Sequence, residues 1–282
     1  MSIHTRKPKN TKKYPLKTKK KLFKTFLFVI LFITVFSVLF YRSSQHSVSN
    51  IKPKPVVETP SYLEHGNRNI KKIALTFDAD MTPYMLDEIN SGKIKSFYNQ
   101  EIVDILRQKN IPATIFISGL WAEKYPEVVK ELSGNPLFEI ANHSYSHPGF
   151  TSNCFTLPSV PKWGKDQEFV KSQQAIKKIT GIYPKFFRFP GGCHDQSDIS
   201  MANKNGLIVV GWDVASSDSF NNNLVSIINN IKTKTQNGSI LLFHFNGNKN
   251  APLTAPALLE SIKYLQSKGF QFVTLSQLLL LD

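Results

Sequence analysis

The chain has 282 residues, 35 Lys and Arg against 20 Asp and Glu, a formal net charge of +15, and 41% hydrophobic residues. That hydrophobic share excludes a disordered chain and is enough for a sizeable core. Residues 1–54 carry 13 of the basic side chains and no acidic one, so the rest of the chain is nearly neutral. A nearly neutral body argues against nucleic acid as a partner.

An uncharged and almost wholly apolar stretch covers residues 25–41. As a helix it would rise about 26 Å, close to the roughly 30 Å hydrocarbon core of a bilayer. A cleaved signal peptide is the alternative, but its apolar region is usually only about 7–15 residues long and ends at a small-residue cleavage site. The sequence therefore predicts a single-pass transmembrane signal anchor that is retained.

The segments on either side of this stretch predict the topology. Residues 1–24 are strongly basic, and the positive-inside rule assigns them to the cytoplasm as a tail. Residues 42–69 are rich in Ser, Asn and Pro and are predicted to be a linker. Residues 70–282 have the size of one domain, which this topology places outside the cytoplasmic membrane.

Within that domain, strand-like apolar runs alternate with helical patterns, which is typical of an α/β fold with parallel strands. About seven short units fit a compact (β/α) barrel better than a doubly wound sheet. In a barrel, functional side chains collect at the carboxyl ends of the strands. The predicted strands are Lys72–Phe77, Ala113–Ile117, Phe138–Ala141, Phe186–Phe189, Leu207–Trp212, Ser239–Phe245 and Phe270–Thr274, and the predicted helices are Tyr98–Lys109, Trp121–Leu132, Asp166–Thr180 and Pro256–Lys268.

Two of these strand ends carry histidine or aspartate side chains, the residue types that bind metal ions. His143 and His147 stand four apart in NHSYSH, and a helix or a turn there would let both imidazoles face one metal. In TFDAD, extended backbone would place Asp78 and Asp80 on one side of the strand. One carboxylate would then bind the metal and the other act as a general base. Solvated loop histidines and an acidic turn are the alternatives.

Later strand ends add an arginine and a histidine. Arg188, in FFRFPGG, can orient a carboxylate and keep it ionised, and the glycine turn after it allows backbone N–H groups close to an oxyanion. His244, in SILLFHFN, is either a core histidine or a general acid. As a general acid it would need a carboxylate partner to raise its pKa, and Asp213 and Asp218 are both candidates.

Together these segments resemble the polysaccharide deacetylases of the NodB-homology type, carbohydrate esterase family 4. Five motifs occur in the family's order between Lys71 and the C-terminus: TFDAD, HSYSH, RFPGG, WDVASSD and LFH. The resemblance implies a distorted (β/α) barrel and a divalent metal, usually Zn²⁺, that serves in hydrolysing N-acetyl groups of GlcNAc-containing polymers. Co²⁺, Fe²⁺ and Mn²⁺ suit the same nitrogen and oxygen ligands.

The resemblance also implies catalytic roles for individual residues. Asp78 is similar to the family's catalytic base, and Arg188 to the residue that positions this base. His244 is similar to the catalytic acid, and Asp218 to the carboxylate paired with it.

Metal-binding and substrate-binding roles follow in the same way. His143, His147 and Asp80 are similar to the metal ligands. Gly191 is similar to the residue whose N–H stabilises the oxyanion, and Leu242 to part of the pocket for the acetyl methyl group.

Two motifs depart from the family's usual pattern. The first motif is usually TFDDG, whereas here Ala79 takes the second Asp position, so the ligand role passes to Asp80. In the fourth motif Ser219 replaces a Trp that normally lines the substrate groove, which leaves the preferred polymer open. Trp121 and Trp212 are each either a stacking residue for the substrate or a core residue.

The chain has two cysteines, Cys154 and Cys193, both predicted on loops at the active-site face. Export to an oxidising compartment would allow a disulfide between them, and two free buried thiols are the alternative.

The sequence thus predicts a deacetylase of peptidoglycan or poly-GlcNAc anchored in a bacterial cytoplasmic membrane. One alternative is a metal-dependent hydrolase of another non-peptide amide on the same scaffold, and another is an inactive glycan-binding module. A two-His-one-carboxylate iron oxygenase would need an all-β pattern, which the β/α alternation argues against.

Overall fold

The computed structural model describes residues 62–280. The predicted cytoplasmic tail, the predicted membrane segment and the linker up to residue 61 lie outside the described residues. Among the helices between residues 62 and 280, none has the length and apolar character needed to cross a membrane.

Nine parallel strands form one sheet in the described part of the chain, in the order β1-β6-β5-β4-β3-β2-β8-β7, with β9 pairing with β2 as well. The edge strands β1 and β7 do not pair with each other within residues 62–280, so the sheet is a curled half-barrel rather than a closed barrel. The strands are β1 (Tyr62–Leu63), β2 (Lys72–Ala79), β3 (Ala113–Ile117), β4 (Phe138–Asn142), β5 (Phe186–Phe187), β6 (Ile208–Val210), β7 (Val214–Ala215), β8 (Ile240–His244) and β9 (Gln271–Val273).

The helices follow the strands in the β/α alternation that the sequence predicts. The predicted helix Trp121–Leu132 is two helices, because Pro126 has no N–H to continue the first one and instead begins the second. The helices of the described residues are α1 (Pro83–Asn90), α2 (Gln100–Lys109), α3 (Gly119–Lys124), α4 (Pro126–Ser133), α5 (Lys165–Thr180), α6 (Gln196–Lys204), α7 (Leu224–Lys234), α8 (Thr254–Ser267) and α9 (Leu275–Leu279).

The central strand β2 has one apolar face and one face that becomes polar toward its carboxyl end. Leu75 and Phe77 belong to the largest apolar cluster, which includes side chains of α2 and α8. Because side chains alternate along a strand, Ala74, Thr76 and Asp78 lie on the opposite, inner face. Ala74 packs in a second cluster with side chains of α9, whereas Asp78 ends the inner row. The inner face is therefore apolar where the strands begin and polar where they end.

The fold begins earlier than the sequence predicts, because residues 62–69 are not a linker. Tyr62 and Leu63 pair with β6 at one edge of the sheet. His65 then forms a bridge to Ser239, and the Arg68 guanidinium donates to Asp213 Oδ2 over 2.7 Å near the other edge. The segment spans the gap between the two edges. No local pattern indicates it, since a two-residue strand is stabilised by its partner strand alone.

A chain truncated to begin at residue 70 should therefore be less stable than one that begins at residue 62. It loses the Leu63 and Gly66 backbone hydrogen bonds and two hydrogen bonds of Arg68. Each lost hydrogen bond should lower the free energy of unfolding by about 1 kcal/mol. Because each kcal/mol corresponds to about 2–4 °C in a domain of this size, the melting temperature should fall by roughly 10 °C. Calorimetry of the two truncated chains tests this, and equal melting temperatures would restore the predicted linker boundary.

Candidate active site

The carboxyl ends of β2, β4 and β8 bring the predicted site residues together. Asp78 is the register partner of His244 in the β2–β8 ladder, so these two side chains begin on neighbouring strands. His143 directly follows β4, and Arg188 directly follows β5, which pairs with β4. The candidate site residues therefore lie together at the end of the sheet where the sequence predicts them.

Asp80, His143 and His147 form a compact candidate ligand set, with one possible ligand atom from each within 4.8 Å of the other two. Asp80 Oδ1 lies 3.4 Å from His143 Nε2 and 3.2 Å from His147 Nε2. Asp80 Oδ1 and His143 Nε2 are buried and have no hydrogen-bond partner among the described residues. Buried lone pairs without donors are costly unless something positive lies between them, so these side chains fit a divalent cation.

The protonation of His143 is set by its other ring nitrogen. His143 Nδ1 lies 2.9 Å from the carbonyl oxygen of Arg188. A carbonyl can only accept, so Nδ1 carries the proton and Nε2 keeps its lone pair for a metal. This is the usual way in which a protein orients an imidazole ligand.

Burial and charge act in opposite directions on the ligand carboxylate. Burial would raise the pKa of Asp80, but the charge of His147 and the close contacts with His143 and His147 hold that pKa well below its usual range. Burial likewise lowers the pKa of His143, but the charge of Asp78 and contacts with Asp80 raise it overall. The site therefore stabilises positive charge next to its carboxylates.

The segment between the two histidines is a turn, and not a helix. Ser144 and His147 both have positive φ, at +64° and +58°, which is a strained conformation for such residues. Glu168 of α5 holds the turn, because its carboxylate accepts from the N–H groups of Tyr145 and Ser146 and from the Ser146 hydroxyl, each over 2.8 Å. The sequence around Glu168 does not indicate this role, since Glu168 looks like an ordinary acidic residue in the first turn of a helix.

Arg188 is buried and fixes the carboxylate of Asp78. Its Nη1 donates to Asp78 Oδ1 over 2.7 Å, and its Nη2 donates to Thr76 Oγ1 and to the Gly211 carbonyl, each over 2.9 Å. The guanidinium also stacks on Phe116, 4.0 Å from the ring centroid. Asp78 Oδ2 is thereby turned toward the ligand set, where it lies 3.5 Å from His143 Nε2.

His244 is paired with Asp218, which decides between the two carboxylates that the sequence left open. Asp218 Oδ1 lies 2.7 Å from His244 Nδ1, and Asp218 Oδ2 accepts from the His244 N–H and the Thr254 hydroxyl. Burial lowers the pKa of His244, but the charge and hydrogen bond of Asp218 raise it overall to about 10. Asp213 instead binds Arg68 at the gap between the sheet edges.

The glycine turn after Arg188 is tightly enclosed. Gly191 has φ +63°, and a Cβ added there would lie 2.8 Å from Cys154 Sγ and 3.2 Å from a ring carbon of Phe155. Only glycine fits such a position. The Phe155 ring is 85% exposed, so an apolar surface adjoins this turn. Leu242 lies two residues before His244 in β8 and therefore on the same face of the strand.

A disulfide joins Cys154 to Cys193, with the two Cα atoms 5.7 Å apart. It links the loop after the histidine turn to the end of the glycine turn. Trp121 is fully buried and donates to the Phe97 carbonyl, so it is a core residue and no stacking platform. Trp212 is half-buried, with its ring against Gly192 and near the Arg188 guanidinium.

The family model of the polysaccharide deacetylases matches residues 65–210. The chain belongs to this family. The resemblance to the NodB-homology type, carbohydrate esterase family 4, is thereby confirmed.

Individual polysaccharide deacetylases show the same relationship. A peptidoglycan-N-acetylglucosamine deacetylase of Bacillus cereus is 30% identical over 223 residues, covering 78% of this chain and 72% of that protein. The peptidoglycan-N-acetylmuramic acid deacetylase PdaC of Bacillus subtilis is 30% identical over 83% of this chain, which spans 44% of PdaC. The solved structure of the peptidoglycan N-acetylglucosamine deacetylase Bc1960 has a TM-score of 0.64 and 28% identity, covering 78% of this chain and 93% of that one.

Proposed function

We propose that this polysaccharide deacetylase is a metal-dependent enzyme that removes N-acetyl groups from GlcNAc-containing cell-wall polysaccharide. The observation that carries the proposal is the placement of the Arg188-bound carboxylate of Asp78 beside the Asp80, His143 and His147 ligand set. The names of the Bacillus cereus relative and of Bc1960 support peptidoglycan as the substrate class.

Asp80, His143 and His147 would hold the divalent metal, and Zn²⁺ suits two imidazoles and one carboxylate best. When bound, the metal polarises the acetyl carbonyl and lowers the pKa of a water molecule. Two hydrogen-bonding groups hold the candidate ligands in position: the carbonyl of Arg188 orients His143, and Glu168 holds the histidine turn.

Asp78 is the proposed general base. Arg188 occupies its Oδ1, so Oδ2 is the oxygen available to take a proton from the attacking water. Because the guanidinium is also bonded to Thr76 and Gly211, it cannot swing away during the reaction. The carboxylate is therefore presented in a fixed orientation, which is the part of catalysis that positioning supplies.

His244 is the proposed general acid. Asp218 occupies its Nδ1, which leaves Nε2 to protonate the leaving amine of the sugar. With its pKa raised to about 10, His244 carries a proton at neutral pH. The side chain is 20% exposed, so it remains accessible from outside the protein.

The enclosed glycine turn and Leu242 complete the substrate site in this proposal. The Gly191 N–H would stabilise the oxyanion of the tetrahedral intermediate, and Leu242 would contact the acetyl methyl group. Phe155 lies against Gly191 with its ring exposed, which suits contact with the apolar face of a sugar ring. Ser219 leaves no aromatic side chain at the groove position where the family usually has Trp.

The variant Asp218→Asn should shift the pH dependence of the reaction. Asp218 raises the pKa of His244, whereas burial lowers it. Without the Asp218 carboxylate the pKa of His244 should therefore fall, and the alkaline limb of the kcat/KM profile should move to lower pH by about 1–3 pH units. In the wild type, the stability that His244 contributes is complete below its unfolded pKa of 6.5 and is lost as the pH rises through about 10. Steady-state kcat/KM measured as a function of pH gives the position of the alkaline limb in each protein. Asp213→Asn is the matched control, and an unmoved limb in Asp218→Asn would contradict the pairing.

Acetate release by the full chain tests the proposed function. Peptidoglycan, poly-GlcNAc, chitooligosaccharide and small N-acetylated amides should be compared with and without a chelator. Release from a GlcNAc polymer that the chelator abolishes and added Zn²⁺ restores is the expected result. Release from small amides alone would favour another amide hydrolase, and glycan binding without acetate release would favour an inactive binding module.

We propose further that the chain is held in a bacterial cytoplasmic membrane by residues 25–41, with the deacetylase domain outside. The apolar stretch and the basic residues before it support this topology, and the Cys154–Cys193 disulfide suits an oxidising compartment. Protease added to intact spheroplasts should remove the domain while a tag at the N-terminus stays protected. A protected domain would contradict the orientation.

A further inference from the structure

The position of Asp80 depends on hydrogen bonds beyond the end of the β2–β8 ladder. That ladder ends with the register pair Asp78 and His244, and the last backbone bond runs from the Phe245 N–H to the Asp78 carbonyl over 2.8 Å. Asp80 is two residues farther on, just after β2 ends at Ala79. Something other than the ladder must hold its main chain.

The side chain of Asn246 takes the place of the missing backbone partner. Its Oδ1 accepts from the Asp80 N–H over 3.1 Å, and its Nδ2 donates to the Asp80 carbonyl over 2.7 Å. The same Nδ2 lies 3.4 Å from the Phe97 carbonyl. An amide side chain carries a donor and an acceptor as a peptide group does, so Asn246 extends the ladder by one residue.

We propose that Asn246 is a positioning residue that makes Asp80 a metal ligand. With its main chain bonded on both sides, Asp80 keeps the orientation in which its carboxylate lies on the same side as that of Asp78, and both approach His143 Nε2 within 3.5 Å. Asn246 is only 1% exposed, so water cannot easily replace these bonds. The inference rests on the metal site of the proposed function and adds to it the residue that keeps the Asp80 carboxylate in place.

Smaller residues at position 246 could not hold the main chain of Asp80 in the same way. Alanine would remove both bonds, and serine has one hydroxyl that is too short to bridge the N–H and the carbonyl of the same residue. Each substitution should let the Asp80 main chain move while His143 and His147 stay fixed by Arg188 and Glu168. The ligand set would then lose its carboxylate without losing its imidazoles.

Metal binding by the full chain tests this inference apart from activity. Zn²⁺ affinity, measured by competition with a chromophoric chelator, should fall about 10–100-fold in Asn246→Ala and Asn246→Ser. The visible absorption of the Co²⁺-loaded variants should change as well, because it reports the ligand geometry. Asn205→Ala is the matched control, since that amide also donates two hydrogen bonds, to Asp166 and to the Met201 carbonyl, and it should keep wild-type affinity.

The outcomes separate the inference from the proposed function. If the wild type binds one Zn²⁺ tightly and both Asn246 variants match it in affinity and Co²⁺ spectrum, the positioning role is wrong. If the wild type itself binds no Zn²⁺, the metal site fails and the inference fails with it. Should Asn246→Ala not fold, Asn246→Ser decides, with circular dichroism and the melting temperature of the metal-free protein as the check of folding.

Discussion

Replacing Asp78 by Asn should lower acetate release by about 10²–10⁴-fold while the protein remains folded and binds metal. The amide oxygen of the substituted side chain can still accept from Arg188, so the buried guanidinium keeps its partner. What the amide cannot do is take a proton from water, which is the role proposed for Asp78 Oδ2. The measurement is kcat on a GlcNAc polymer together with the Zn²⁺ content of the purified variant.

The chain offers a matched control for this substitution. Asp213 also accepts from an arginine over 2.7 Å, but its partner is Arg68, at the gap between the sheet edges. Asp213→Asn should leave kcat unchanged. Equal activity of Asp78→Asn and the wild type would remove Asp78 from the mechanism, and a loss of bound Zn²⁺ in Asp78→Asn would assign it to the ligand set instead.

Replacing Arg188 by Lys should harm both stability and activity, although the charge is retained. An ammonium group cannot reproduce the fork that serves Asp78, Thr76 and the Gly211 carbonyl at once. Buried groups left without a partner cost about 1–3 kcal/mol each, so the melting temperature should fall by roughly 6–12 °C. A carboxylate displaced by about 1 Å would further lower kcat/KM about 100-fold.

Arg68→Lys is the corresponding control, because it makes the same chemical change at a half-exposed ion pair. Such pairs contribute about 0–1 kcal/mol, so the melting temperature should change little and kcat/KM should not change. Calorimetry and steady-state kinetics on both variants make the comparison. Similar effects of the two substitutions would mean that Arg188 contributes no more than an ordinary surface arginine.

The sequence predicts the positions of seven of the described strands, because buried parallel strands are short apolar runs bounded by polar residues. Ala113–Ile117 is predicted to the residue, and the other predicted strands differ from the structure mainly at their ends. The helix α7 was not predicted, although Asn223 caps it and Ile227 and Ile231 give it a buried stripe. Residues 218–223, just before this helix, are mostly Asn and Ser, a composition that is typical of a loop and hides the start of the helical spacing.

The residues that hold the site in place are harder to predict than those that react. Glu168 and Asn246 act on the main chain of segments far away in sequence, and nothing in their own neighbourhood indicates those partners. Asp213 and Asp218 show the same limit, since both follow the predicted strand Leu207–Trp212 and the sequence allows either to pair with His244. The two are separated by a turn at Ser217, where φ is +59°, and the preceding Ser216 is bonded to distant segments, through its N–H to the Leu242 carbonyl and through its carbonyl to Asn230.

The Cys154–Cys193 disulfide closes a covalent ring that contains some of the candidate site residues and leaves the others outside. Cys154 and Cys193 are 39 positions apart, and the ring that they close includes Glu168, Arg188 and Gly191, whereas Asp78, Asp80 and His244 lie outside it. Closing a ring of this length removes about 4 kcal/mol of chain entropy from the unfolded state. An oxidised chain that has been unfolded therefore still holds Arg188 and the glycine turn within one closed ring. During refolding of the oxidised chain, β2 and β8 must pack against a segment that is already closed into a ring. In a reduced chain this ring constraint is absent.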